Sequence, residues 1–256
     1  MSSRGRSQQE RAGSTPPVFL VDALPDGATA VLGGAEGHHA ATVRRLRPGE
    51  PLVLSDGAGG VADCVVTGPA EGGLRLAVTA VRRLEPPDPR FVLVQALAKG
   101  DRGELAVELA VELGVDLVVP WAAARSVVRW DGQRGQRSLE RWRSTARAAA
   151  KQSRRAWLPP VAALASTRDV AGLVAAASGA LLLHEAASTP LASVPLPDTG
   201  DLVLVVGPEG GLDESELAAL AEAGATPVRL GQPVLRTSTA GAAALAALSL
   251  RSGRWD

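Results

Sequence analysis

Three short segments of this chain combine glycine, charge and an apolar lead-in, the mixture a small-molecule site requires. The first is Leu181-Leu182-Leu183-His184-Glu185. The second is Val205-Val206-Gly207-Pro208-Glu209-Gly210-Gly211-Leu212. The third is Leu230-Gly231-Gln232-Pro233-Val234-Leu235-Arg236-Thr237-Ser238-Thr239-Ala240. Glycine lets backbone amides approach a ligand closely. Glu209 can accept hydrogen bonds from a ligand's hydroxyl or amino groups, and Arg236 can stabilise a carboxylate or a developing anion. One Gly-Pro-Glu-Gly-Gly alone is as readily an ordinary turn; the three segments together point to a site. His184 is kept only as a residue lining a ligand, and His38 and His39 read as structural or RNA-facing.

Other chemistries lack their signatures. The chain has no GxSxG elbow for a serine hydrolase and no GxxxxGK[ST] loop for a nucleotide triphosphatase. No helical pattern follows Gly57-Ala58-Gly59-Gly60, a poor dinucleotide fingerprint. Cys64 is the single cysteine, which excludes an internal disulfide. With only three histidines beside it, no metal site is expected.

The three segments need strands to carry them. From Val18 to Glu85 short apolar runs alternate with Asp26-Gly27, Asp56-Gly57 and Gly72-Gly73, the punctuation of a small barrel or sandwich. His38 to Gly49 reads as one short helix ended by Pro48-Gly49. Pro86-Pro87-Asp88-Pro89 is a stiff break and marks a linker at 86–89. Beyond it, strands are expected at 91–97, 115–119, 180–183, 202–206 and 228–230. Helices are expected at 103–113, 138–157, 213–223 and 240–250, with Gly114 as a C-cap and Asp213 as an N-cap. Strands alternating with helices indicate a mainly parallel α/β sheet, whose ligands bind beyond the carboxyl ends of the strands. The predicted organisation is a disordered tail at 1–17, a β domain at 18–85 and an α/β domain at 90–256.

The 27 basic and 27 acidic residues cancel overall but not locally. Residues 121–160 hold ten basic against two acidic side chains, a net of +8, and residues 161–228 hold one against nine, a net of −8. Arg143, Arg147, Lys151 and Arg155 recur every four residues, one drifting stripe on a helix. Arg125, Arg129, Arg134 and Arg137 precede them on a glycine-broken loop, near Trp121 and Trp130. Arginine with tryptophan suits phosphate and stacked bases; an ordinary solvated helix face has the same charge. Trp142 and Trp157 read as core or interface. The first residues lack the apolar stretch of a secretory signal, and the longest apolar runs fall short of the ~20 residues that span a bilayer. A soluble, cytoplasmic protein with no membrane partner is expected.

From about Val18 to Trp255 the chain resembles the bacterial 16S rRNA (uracil-N3)-methyltransferases of the RsmE type, in the SPOUT superfamily. The resemblance is carried by His39 through Gly49, Ala98-Lys99-Gly100-Asp101-Arg102, Glu112-Leu113-Gly114, Arg125-Ser126-Val127-Val128, Gln152-Ser153-Arg154-Arg155, Gly207-Pro208-Glu209-Gly210-Gly211 and Leu235-Arg236-Thr237-Ser238-Thr239-Ala240. It implies an N-terminal PUA-like β-barrel and a C-terminal SPOUT α/β domain with a trefoil knot. It implies a homodimer acting on 16S rRNA within the 30S subunit. S-adenosyl-L-methionine would lie against Leu183, His184, Val206, Gly207, Pro208, Glu209, Gly210, Leu230, Gly231, Leu235, Arg236 and Thr239. Arg236 and Glu209 would serve catalysis. RNA would meet Arg44, Arg45, Arg47, Lys99, Arg102, Arg125, Arg143, Arg147, Lys151, Arg154 and Arg155. The family often carries glutamate where Ser238 and Lys151 stand. Two alternatives differ in substrate or chemistry: a SPOUT methyltransferase acting on tRNA or 23S rRNA, and a non-catalytic RNA-binding ribosome factor.

Overall fold

The computed structural model describes residues 15–255, so all but the last three residues of the expected tail lie outside the described residues. The chain divides into two compact units. One comprises the residues up to Glu85 together with Arg154–Trp157; the other comprises Pro86–Ser153 and the residues from Leu158 onward.

The first unit contains β1 (Val18–Leu20), β2 (Thr29–Leu32), α1 (Gly34–His38), a π-helical turn at His39–Val43, β3 (Pro51–Ser55), β4 (Gly60–Ala70) and β5 (Gly73–Arg83). The sheet order is β1-β3-β4-β5-β2, with β1 parallel to β3 and the other pairs antiparallel. Phe19, Leu32, Leu52, Leu54, Cys64 and Leu76 form its core. β4 and β5 join at the expected Gly72-Gly73 turn, where Gly72 has φ +68°. The helix read at His38–Gly49 instead starts at Gly34 and ends before Arg45, whose φ of +54° turns the chain away. Arg44, Arg45 and Arg47 are left exposed on the following segment.

The helix expected to run to Trp157 stops at Gln152. Arg154 takes φ +60°, and the next residues join the first unit. There Trp157 donates its indole N–H to the Glu85 carbonyl (3.1 Å), and the Gly59 N–H donates to the Ala156 carbonyl (2.9 Å). A methyl group at Gly59 would lie 2.5 Å from the Trp157 ring. That packing is the use of Gly59.

The second unit contains β6 (Arg90–Ala96), α2 (Arg102–Glu112), β7 (Leu117–Trp121), α3 (Gly132–Gln152), α4 (Thr167–Ala176), β8 (Gly179–Leu183), β9 (Asp201–Val206), α5 (Glu214–Glu222), β10 (Thr226–Val228) and α6 (Thr237–Arg251). All strand pairs are parallel, in the order β10-β8-β9-β6-β7. Both faces of the sheet are covered, which explains the uninterrupted apolar runs of β6, β8 and β9. In α2 the buried face is Gly103, Ala106, Val107, Ala110 and Val111, while Leu105 of the expected leucine row is exposed. Small residues win that face because α2 packs closely: a methyl group at Gly103 would sit 2.7 Å from the buried Trp142 ring. Gly114 follows the helix with φ +95°, as a C-cap glycine should. α3 begins six residues earlier than expected, absorbing Arg134 and Arg137 into its first turns; Gly135 there lies against the Trp130 backbone.

The C-terminus is held by a buried ion pair. Arg254 donates to both carboxylate oxygens of Asp116 (2.8 and 3.1 Å) and lies over the Phe91 ring. Asp116 also accepts from the Phe91 N–H (2.9 Å). Its side chain is 6 % exposed. Removing one member of a buried pair strands the other, at a cost of about 3 kcal/mol or more. Asp116→Ala and Asp116→Asn are therefore both expected to lose about that much stability in urea denaturation, since neither leaves a negative charge beside Arg254.

Candidate functional site

The three segments singled out by their chemistry leave the same edge of the sheet. Leu183 ends β8, Val206 ends β9, and the third segment connects β10 to α6. Parallel pairing sets Leu183 beside Val206 and also beside Val228. The His184 N–H donates to the Val228 carbonyl (2.9 Å), drawing the first and third loops together. They enclose a cavity of about 590 Å³, within the usual span of ligand sites.

Of the expected cofactor residues, Leu183, His184, Val206, Gly207, Pro208, Glu209, Gly210, Leu230, Gly231, Leu235 and Arg236 line this cavity. Thr239 does not; its hydroxyl turns back to the Arg236 carbonyl within the first turn of α6 (3.2 Å). Arg125, expected on the RNA-facing arm, lies in the cavity wall, 3.8 Å from Asp213. Gly210 packs against it: a methyl group there would lie 3.1 Å from the Arg125 carbonyl oxygen. Gly211 has φ +73° and closes a turn by donating its N–H to the Pro208 carbonyl (3.0 Å). The loop thus brings glycine backbone to the cavity wall, where amides can approach a ligand closely.

Glu209 does not point freely into this space. Its Oε1 accepts from the Lys99 backbone N–H (3.2 Å) and from the Arg102 guanidinium (3.1 Å). Burial pushes its carboxyl up, but its own backbone N–H, that of Lys99 and the Arg102 guanidinium outweigh this and hold it below the usual range. It is an ionised anchor and a weak base. Lys99 and Arg102 follow β6, so the pairing ties the second loop, which leaves β9, to the segment after the neighbouring strand β6.

A second anchor was not distinguished by the sequence. Gln95 interrupts the apolar run of β6 and is fully buried. Its Nε2 donates to Thr237 Oγ1 (3.0 Å), and that hydroxyl donates to the Gly207 carbonyl (2.7 Å). This chain links β6, the second loop and the start of α6. A lone amide within an otherwise apolar strand was the available signal.

The basic residues separate into used and unused groups. Arg143 donates to Glu140 (2.7 Å) and to the Val161 carbonyl (3.3 Å). Arg155 lies beyond the end of α3, so the stripe of four is a stripe of three. Arg147 stands exposed on α3.

Residues 85–249 match the RNA methyltransferase domain family and residues 32–78 the RNA methyltransferase PUA domain family. The Mycobacterium bovis ribosomal RNA small subunit methyltransferase E is 52 % identical over 244 residues, covering 93 % of each chain. A Neisseria gonorrhoeae ribosomal RNA small subunit methyltransferase E, solved with S-adenosyl methionine bound, superposes with a TM-score of 0.80 at 29 % identity, covering 93 % of this chain and 98 % of its own. A Legionella pneumophila methyltransferase solved with the same cofactor gives 0.81 at 26 % identity, over 93 % and 98 % of the two chains. The family model over residues 85–249, with a relative 52 % identical along 93 % of each chain, places this chain in the ribosomal RNA small subunit methyltransferase E family of RNA methyltransferases.

Proposed function

We propose that this protein transfers the methyl group of S-adenosylmethionine to N3 of a uridine in the 16S rRNA of the small ribosomal subunit. The observation that carries this reading is the cavity, in which three glycine-bearing strand-end loops meet beside Arg236, Arg125 and the anchored Glu209. Relatives solved with the cofactor bound support it along almost the full chain. The cofactor supplies an electrophilic methyl group on a sulfonium. The protein's own residues have the remaining tasks.

Uridine N3 carries a proton, and the neutral imide is a poor nucleophile, so the site must favour its anion and place it in line with the methyl carbon. Arg236 stabilises that anion. Glu209, too weak a base to take the imide proton, holds the second loop in place through Lys99 and Arg102. The connection from β10 to α6 forms a trefoil knot in this reading, supported by the way the third loop returns to the cavity before α6 begins. The first unit closes as a PUA-like barrel and presents Arg44, Arg45 and Arg47 to RNA. α3 presents Arg147 and Lys151. The protein works as a homodimer on 30S particles in the cytoplasm.

The test is methyl transfer to 30S subunits, 50S subunits and tRNA from a strain lacking the corresponding modification, followed by mass mapping of the RNA. The expected product is a single 3-methyluridine in 16S rRNA. A methyl group found only in tRNA or 23S rRNA, or on another atom, overturns the reading. A second expectation concerns RNA affinity. Arg147→Ala should weaken binding without sequence preference and reduce the slope of log affinity against log salt by about one. An unchanged slope removes Arg147 from the RNA-facing surface.

A further inference from the structure

We infer that Glu216 is a positioning residue for the cofactor cavity, clamping residues 122–126 to the start of α5 and so holding Arg125 in the cavity wall. The inference rests on the reading of that cavity as the S-adenosylmethionine site.

Glu216 lies in the first turn of α5 and its side chain is buried. A capping box alone would place such a glutamate at the surface, with one oxygen on the N-cap backbone. Here Oε2 accepts from the Asp213 N–H (3.3 Å), which completes the box. Oε1 is used elsewhere. It accepts from the Ala124 backbone N–H (2.8 Å) and from the Thr167 hydroxyl (2.9 Å). Thr167 Oγ1 in turn accepts from the buried Trp121 indole (3.2 Å). One carboxylate therefore joins the end of β7, the loop after it, the start of α4 and the start of α5.

Arg125 immediately follows the clamped residue Ala124. Beyond the 3.8 Å approach to Asp213, it is held by backbone geometry, with its carbonyl packed on Gly210. Buried carboxylates are costly unless fully hydrogen-bonded, so three donors on this one indicate a site under constraint, not an incidental cap. The second loop and the 122–126 loop are both fastened at Glu216, the first through Asp213 and the second through Ala124. Their spacing sets how Arg125 packs against Gly210 in the cavity wall.

The test is calorimetric titration of the purified full chain with S-adenosylmethionine. Variants are Glu216→Ala, Glu216→Gln and Thr167→Val, each alone and combined with Arg125→Ala, with thermal unfolding measured alongside. Arg125→Ala is expected to raise Kd about tenfold or more. Glu216→Ala is expected to raise Kd about tenfold, the scale of one charge-assisted hydrogen bond. Glu216→Gln, which can still accept from Ala124 and Thr167 but meets the Asp213 N–H with a poor partner, should recover most of that loss. In the Arg125→Ala background each Glu216 variant should add less than twofold, because neighbours acting through one group are not additive. If Glu216→Ala does not fold, Glu216→Gln and Thr167→Val carry the same cycle with smaller steps. A merely structural glutamate would lower the unfolding temperature and leave Kd unchanged, or would add its full factor in the Arg125→Ala background. Either result, or an Arg125→Ala protein with wild-type affinity, overturns the inference. A wild-type protein that binds no S-adenosylmethionine overturns the cofactor reading instead.

Discussion

Replacing Arg236 by alanine is expected to lower turnover on 30S subunits about 10²- to 10³-fold, the loss seen when a single anion-stabilising donor is removed from a site. The geometry gives this arginine little structural work. It is the N-cap residue of α6, where its side chain makes no capping hydrogen bond, and it is exposed in the cavity wall. A helix N-terminus already carries partial positive charge, so a cation there is unfavourable by about 0.3–1 kcal/mol. Arg236→Ala should therefore leave the unfolding temperature unchanged or raise it slightly, while catalysis collapses. Both effects point to an arginine retained for an anion. Since its role is to favour the imidate, raising the pH should restore part of the variant's activity as more of the uracil ionises unaided. Arg236→Lys should keep more activity than alanine and less than wild type, because a point charge replaces a planar fork. Near-normal turnover by the alanine variant would exclude the residue from the chemistry.

Glu209 is expected to matter through binding. Glu209→Ala should raise the Kd for S-adenosylmethionine about tenfold. Hydrogen bonds to a charged group are worth about 1.5–3 kcal/mol, and the lower figure applies to a side chain that is 26 % exposed. kcat at saturating cofactor should fall less than affinity, since the carboxylate faces Lys99 and Arg102 and not the methyl acceptor. The pH dependence follows from its depressed pKa. The carboxylate's contribution to stability is complete above the ordinary value of about 4.3, and is lost as pH falls through the lower folded value. Between neutral pH and about 5, the stability difference between wild type and Glu209→Gln should therefore stay constant, then shrink in more acidic solution. A base titrating near neutrality would give a step in that range, and observing one would mean that Glu209 has left its anchors.

Much of the site was legible before any geometry. Glycine, proline and charge are concentrated where backbone must approach a ligand, and the apolar runs ahead of them mark strands that end there. Asp213 as a cap and Gly114 as a helix stop were readable for the same local reason: each does its work within a few residues. The misreadings share the opposite cause. The residues before Ser138 read as a glycine-broken loop, yet α3 begins at Gly132 and Gly135 lets it lie against the Trp130 backbone. Its far end was expected at Trp157, whose indole instead packs on Gly59 in the other unit of the chain. β2 is not legible because its four residues alternate weakly, whereas α4 carries a local signal, the capping box of Ser166 and Asp169, that marks its start.

The sequence by itself determined which strand-end loops combine glycine with charge, the alternation of strand and helix behind them, and the local separation of basic from acidic charge. Those follow from residue type and short-range periodicity, which act over one or two turns of chain. Only the tertiary structure decided what Glu209, Gln95, Glu216 and Arg125 do, because each is defined by a partner far away in sequence. Glu209 meets Arg102, Gln95 meets Thr237, and Glu216 meets Ala124. Parallel strands require long crossovers, so the partners that complete such a site arrive from separate parts of the chain. Their pairing is a property of the packed sheet and cannot be read from the spacing between them.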